Sequence, residues 1–383
     1  MTQVISTLKD RLTARAPADK YVVWVTLLLC VAGAVAVYSA VTFLAETSGS
    51  SPAAFLGNHV LRVSIALGVM GGVSMIDYRM LARFSKVGLI FALVLLGVVQ
   101  VAGVAMGGAE RWIRIGTFGF QPSDFAKVGL IFYVAVLLAE KQPYVKSFTR
   151  AFLPLLFWVL ATVMLIGIDD LSTAAVVLVA TLMTCFVGRV SALQLGSLLI
   201  IGGLLGMLLL MNSPHRAARL ESYTGLDLFE NTETEQVDLR GEGYQAHQAR
   251  IAIAMGGVTG VGPGKSIQRD FLPAPYNDFI FAIIAEEYGL AGTFGLLGLF
   301  GLLLFRGFLR IARHAPDPLG LFLGVGFTTM IVLYGFIHAG VASGLFPVTG
   351  LPMPLVSYGG TSMVTTGAML GVLLNISRQS KPT

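Results

Sequence analysis

Apolar and polar stretches alternate along this chain with a spacing set by membrane thickness. A helix rising 1.5 Å per residue needs about 20 apolar residues to cross a hydrocarbon core of about 30 Å. Runs of that kind fall near 22–45, 58–76, 87–106, 122–139, 151–168, 171–188, 191–211, 278–305, 319–343 and 353–375. They predict an all-α polytopic membrane protein of about ten transmembrane helices. Only Asp169, Asp170 and Leu171 part the fifth run from the sixth. The one long polar interval, 212–277, separates the seventh run from the eighth. Residues 1–20 read as a polar tail, 21–376 as a single membrane domain and 377–383 as a second short tail.

The long interval has two characters. Its acidic part, 221–242, has no helical or strand period. From Tyr244 onward YQAHQARIAIAMGG predicts a short helix, with Gln245 and Gln248 three residues apart on one face. The stretch GVTGVGPGKSIQRD that follows is too rich in glycine to be regular. Such turns expose backbone N–H groups to phosphates, but this one neither follows a strand nor matches a P-loop.

Composition agrees with the pattern. Of 383 residues 55% are hydrophobic and 12% charged, and mean hydropathy is +0.78; soluble domains carry about 25% charged residues. The net charge of +5 calls for no nucleic-acid partner, because topology accounts for it. Sixteen Lys and Arg residues fall in the two tails and the alternate short loops, whereas the short loops on the other side carry only Arg111 and Arg114. Positive charge marks the cytoplasmic side, so both termini are expected inside and 212–277 outside. Cys30 and Cys185 lie within apolar runs and imply no disulfide framework. The polar residues before the first run, and that run's length, do not fit a cleavable signal peptide.

Candidate chemistry gathers at the expected outer boundary. The stretch LPAPYNDFIFAIIAEEYG places Asp278, Glu286 and Glu287 where the eighth run begins. Acids so close to hydrocarbon are costly and need a substrate, an ion or a fixed partner. As one helix, 278–305 would be about 42 Å long, with Asp278 about two turns above the glutamates. A plain helix cap is the competing role for Asp278. A second polar group is GGAERWIRIGTFGFQPSDFAKVG. It holds Arg111 and Arg114 around Trp112, a helix start at Gln121-Pro122-Ser123-Asp124, and Lys127 one turn into the span. Lys127 either snorkels back to the headgroups or offers its charge to an anion; Arg62 most simply snorkels. Asp169 and Asp170 sit at another outer-facing turn, where Asp170 is placed either to cap a helix or to take part in function. In GLFPVTGLPMPLVSYGGTSM, prolines and glycines break any regular helix, and Ser357 and Tyr358 either line a cavity or stand in a kinked helix entrance. The five scattered histidines show no metal-ligand spacing.

With these stretches in view, the chain resembles the SEDS family of cell-wall glycosyltransferases, FtsW and RodA, from about Tyr21 to Ile376. The motifs that carry the resemblance are ERWIRIGTFGFQPSDFAK, GVGPGKSIQRDFLPAPYNDFIFAIIAEEYG and GLFPVTGLPMPLVSYGGTS. The resemblance implies polymerisation of lipid II, the undecaprenyl-pyrophosphate-linked disaccharide-pentapeptide, outside the bacterial cytoplasmic membrane. It also implies a class B penicillin-binding transpeptidase and other division or elongation membrane proteins as partners. Carried over by position, it makes Asp278 the catalytic aspartate, Arg111 and Trp112 the arginine–tryptophan pair, and Lys127 the lysine of a QPSE-like motif. Lys265, Gln245, Gln248, Glu286 and Ser357 join them as substrate-binding candidates. The segments around Lys265 and Gln245 look more FtsW-like than RodA-like. Asp124 stands for the usual glutamate, Tyr276-Asn277 for His-Thr, Asp169 for a proline and His338 for an asparagine. The resemblance allows a divalent cation, Mg2+ or Mn2+, at the pyrophosphate, and no organic cofactor. The alternative is a transporter that flips lipid II. Transporters often carry internal repeats and broken helices at the midplane; this chain has no such repeat, and its polar residues gather at one face.

Overall fold

The computed structural model describes residues 17–42, 51–102, 104–106, 109–115, 118–224, 242–272 and 274–380. Thirteen α-helices run through them. They are α1 (Lys20–Ala40), α2 (Pro52–Met75), α3 (Tyr78–Arg83), α4 (Ser85–Ala102), α5 (Pro122–Glu140), α6 (Leu153–Asp169) and α7 (Leu171–Val187). The remainder are α8 (Ala192–Met211), α9 (Pro214–Thr224), α10 (Glu242–Gly256), α11 (Ile280–Phe305), α12 (Pro318–Ala342) and α13 (Thr361–Gln379). Seven helical stretches, those of α1, α2, α5, α6, α8, α11 and α12, are long and apolar enough to cross a membrane. The shorter apolar α4 and α7 and the more polar α13 pack among them. The fold is that of a polytopic helical membrane protein.

Local chemistry sets several boundaries. Asp19 starts α1 by accepting from the Tyr21 and Val22 amides at 3.0 and 3.2 Å. Asp170 caps α7 through the Thr173 amide at 2.9 Å. Ser191 and Gln194 form a reciprocal capping box on α8. Pro122 opens α5 with Asp124 in its first turn.

Three boundaries differ from the hydropathy pattern. The third run does not stay helical to 106: α4 ends at Ala102, and Val104–Met106 (β1), Ala109–Ile115 (β2) and Phe118–Phe120 (β3) form a small antiparallel sheet in that order. The aromatic Trp112 and the β-branched Ile113 and Ile115 favour strand over helix. The last helix begins at Thr361 rather than 353, because Pro347, Pro352 and Pro354 keep 345–354 irregular. The eighth run is not one straight helix. It starts at Ile280, and Gly289 interrupts it at φ 61°, ψ −158°.

Packing sorts the helices. The most apolar stretch of α12 is 78% buried and that of α5 72%, against 17% for α2 and α8. The first pair therefore forms the core and the second lies at the rim. α13 runs along α2, with Gly367 and Gly371 set against the Ala66 and Met70 carbonyls. Small residues allow such close approach where burial itself supplies no drive between helices.

The end of the bundle that holds the start of α1 and the finish of α13 is clasped by polar contacts. Arg306 pairs with Asp19, whose amide donates to Ser377 Oγ at 3.1 Å. Asp317 accepts from the Tyr78 hydroxyl at 2.8 Å and from Arg79 at 2.6 Å. Asn375 ties the Tyr78 amide to the Ser74 carbonyl. The sheet, α9, α10 and the glycine-rich stretch lie at the other end, called the loop end below.

Candidate active site

Asp278 lies at the loop end, in a tight turn just before α11. The Asn277 and Asp278 amides donate to the Ala274 carbonyl at 3.1 and 3.3 Å. The N-cap of α11 is Phe279, and no side chain caps its first turn. Asp278 therefore stands one residue outside the capping position, partly buried. A second segment, 350–358, braces the turn. Ser357 Oγ donates to the Asn277 carbonyl at 2.7 Å, and the Tyr358 amide donates to the Tyr276 carbonyl at 2.9 Å. Ser357 Oγ also accepts from the Met353 amide at 2.8 Å. His338 Nδ1 holds the Leu351 carbonyl at 2.7 Å. Gly350, at φ 67°, brings bare backbone beside the carboxylate: a Cβ there would lie 3.9 Å from Asp278 Oδ2.

Ser357 is thus a brace for the catalytic candidate, 1% exposed, rather than an open cavity wall. Tyr276 and His338, two departures from the family pattern, fall on the same brace. The Tyr276 ring meets Tyr358 edge-on at 5.6 Å. Burial first, then Tyr358 and the Asp278 charge, raise the Tyr276 phenol above its ordinary range.

Lys127 does not snorkel. It is 3% exposed, its Nζ is 2.6 Å from Asp124 Oδ1, and it stands 4.5 Å over the Tyr334 ring. Asp124 accepts in turn from Thr361 Oγ1 at 2.5 Å, joining the starts of α5 and α13. Tyr334 continues the chain through Thr173, at 3.4 Å, to the cap Asp170. Lys127, Tyr334, Pro352, Pro354, Ser362 and Thr366 line a narrow crevice of about 10 Å³. The 350–358 segment therefore touches the Asp278 turn through Ser357 and Tyr358 and the Lys127 crevice through its prolines.

The glutamates hold the glycine-rich stretch. Glu286 is fully buried and accepts from Ser266 Oγ at 2.5 Å and the Ile267 amide at 2.9 Å. Glu287 accepts from Ser39 on α1, and Arg269 donates to Ser39 and to the Gly264 carbonyl. Backbone bonds complete the contact. The Val261 and Gly262 amides donate to the carbonyls of Glu286 and Glu287, and the Leu290 and Ala291 amides donate to Gly257 and Val258. Residues 257–262 thus satisfy the peptide groups that the break at Gly289 leaves open. Gly260, at φ 81°, abuts the Glu287 carbonyl, leaving no room for a Cβ.

The other expected residues are more dispersed. Gln245 and Gln248 are half-buried on α10, which packs on α11. Lys265 is exposed on the glycine-rich stretch. The backbone of Arg111 and Trp112 runs in β2, with Trp112 opposite Val104; their side chains lie outside the described residues. The acidic interval expected to lack a helical period begins inside α9, which runs through 221–224, and 225–241 lies outside the described residues.

Arg62, expected to snorkel outward, instead packs on an aromatic ring. Its guanidinium lies 4.1 Å over the Tyr358 ring. His59, one turn earlier on α2, is fully buried and stacks on that ring at 5.9 Å. A cation within an apolar helix carries no local mark of an aromatic partner far along the chain. Among the described residues no three His, Cys, Asp or Glu side chains gather to hold an ion.

A helical membrane bundle with an acidic turn braced at one end defines the class. The family description of cell cycle proteins of the FtsW, RodA and SpoVE type matches residues 20–382, and the chain belongs to that family. Stage V sporulation protein E of Bacillus subtilis (strain 168) is 37% identical over 375 residues, 96% of this chain and 99% of that protein. A probable peptidoglycan glycosyltransferase FtsW of Geobacter sulfurreducens is 36% identical over 372 residues, 93% and 95% of the two chains. Among solved structures, a chain from a peptidoglycan synthase complex that coordinates polymerization and crosslinking aligns with TM-score 0.73 at 28% identity, covering 94% of this chain and 98% of that one. The rod shape determining protein RodA of Thermus thermophilus aligns with TM-score 0.69 at 25% identity, covering 96% and 98%.

Proposed function

We propose that this protein is a peptidoglycan glycosyltransferase that polymerises lipid II at the outer face of the bacterial cytoplasmic membrane. Its termini are cytoplasmic, and it works beside a class B penicillin-binding transpeptidase in division, with elongation the neighbouring role. Family membership supports the chemistry. The observation that carries the reading is Asp278: a partly buried carboxylate at the loop end, outside the capping position, in a turn braced by Ser357 and Tyr358.

In the reaction an acceptor sugar hydroxyl attacks the anomeric carbon of a second, pyrophosphate-linked sugar. The new C–O bond forms as the bond to the diphosphate breaks, and that electron pair leaves with the phosphate oxygen. Asp278 takes the hydroxyl proton, the role of a general base within hydrogen-bond reach of the attacking oxygen. Fixed positive charge beside the departing diphosphate favours the transition state. Arg111 on β2 is the first candidate for that charge, with Trp112 beside it. Lys127 contributes only what its Asp124 partner leaves, and Lys265 is free to approach from the glycine-rich stretch.

The test is purified protein with labelled lipid II in detergent. Wild type makes polymer. Asp278→Asn keeps a near wild-type melting temperature and still binds lipid II, yet polymerises about 10²–10⁴-fold more slowly, because an amide cannot take the proton. Substantial polymerisation by a well-folded Asn variant would remove Asp278 from the mechanism.

A further inference from the structure

We propose that Arg62 is a positioning residue for Asp278, acting through the Tyr358 and Tyr276 rings; this rests on the glycosyltransferase reading above. α2 grips Tyr358 with two side chains one turn apart. Arg62 covers the ring at 4.1 Å from its centroid, and His59 stacks on it at 5.9 Å with an 18° interplanar angle. His59 is 0% exposed, and neither ring nitrogen has a hydrogen-bond partner, so stacking is the contact that places it. Among the described residues Arg62 forms no ion pair. A guanidinium without a carboxylate, held over an aromatic face, owes its position to the ring quadrupole and to planar stacking.

Tyr358 passes that constraint to the catalytic turn by two routes. Its amide holds the Tyr276 carbonyl at 2.9 Å, and its ring meets the Tyr276 ring at 5.6 Å and 86°. Tyr276 is two residues from Asp278. Phe55, also on α2, adds an aromatic contact to Tyr358 at 6.3 Å. One aromatic cluster thus connects a loosely buried rim helix to the carboxylate. The turn carries Tyr276-Asn277 in place of the family's His-Thr, and Tyr276 is the residue through which the cluster reaches it. Arg62 sets where the carboxylate stands without touching substrate, so its loss lowers turnover and leaves substrate affinity alone.

The test combines kinetics with hydrogen exchange in detergent. Arg62→Ala and Arg62→Met lower kcat roughly ten- to a hundredfold, the scale expected when a reacting group is misplaced by about an ångström, with KM changed less than about twofold. Arg62→Lys keeps a cation over the ring and restores most of the rate. The amides of Tyr358 and Asp278 exchange faster in the Ala and Met variants and near normally in the Lys variant. Unchanged exchange at both amides overturns the proposal. So does a raised KM with kcat intact, which would make Arg62 a direct contact for the substrate's anion. The exchange arm needs no turnover. Should wild type make no polymer, the glycosyltransferase reading falls, and the amides still decide whether Arg62 braces the turn.

Discussion

Lys127 Nζ lies 2.6 Å from Asp124 Oδ1, one turn apart on α5, and both side chains are enclosed. A pair in that setting is near balance as a unit, because desolvation offsets attraction. Removing one partner strands a buried charge and costs about 3–5 kcal/mol. Thr361 raises the stakes by tying Asp124 to α13.

Lys127→Ala and Asp124→Ala are each therefore expected to lower stability by about 3–5 kcal/mol. The double variant Lys127→Met, Asp124→Asn should lose less than either single change. Thermal melts of the purified proteins in detergent measure this. Single variants that melt with wild type would mean the pair does not hold the bundle, and any lost polymerisation would then belong to substrate contact.

Much of the bundle was legible because hydrophobic thickness and capping are local. Each expected run contains a helix, and Asp170 and Pro122 mark starts that their own side chains create. Long-range partners were not legible. Glu286 reads as a costly acid beside hydrocarbon until the Ser266 hydroxyl and the Ile267 amide fold over it. Arg62 reads as a snorkelling cation because its partner, Tyr358, lies on another segment. The sheet was hidden because Val104, Ala105 and Met106 are as apolar as the helix before them, and hydropathy does not distinguish strand from helix in so short a piece. Gly289 looks like any other membrane glycine; only its backbone angles reveal the break.

The distribution of Lys and Arg predicts an orientation that labelling can test. Lys265 is exposed at the loop end and Arg313 is exposed at the opposite end, while the native Cys30 and Cys185 are buried. An impermeant thiol reagent applied to intact spheroplasts should label Lys265→Cys and spare Arg313→Cys. The reverse pattern would place Asp278 on the cytoplasmic side, away from an externally presented substrate.

The clasp at Asp317 predicts a pH dependence. Burial works against its charge, but the Gly320 amide, the Tyr78 hydroxyl and the Arg79 guanidinium together hold the carboxyl below its ordinary value. A carboxyl depressed in the folded state binds protons more weakly there than in the unfolded chain. Its contribution is therefore complete above the unfolded value of about 3.9 and is lost as pH falls through the folded value. Melting temperature should drop on acidification below about pH 4, and Asp317→Asn should show a smaller drop from a lower start. Parallel acid titrations of wild type and variant would refute the assignment.

The break in α11 bears on how the protein is made. Peptide groups on both sides of Gly289 find their partners in residues 257–262, a stretch that precedes the helix in the chain and so leaves the ribosome first. Unpaired peptide groups are expensive in lipid. When 280–305 is inserted, the segment that completes it has already been synthesised and waits beside the bilayer. Were the two exchanged in order, the broken helix would have to enter hydrocarbon with its amides and carbonyls open.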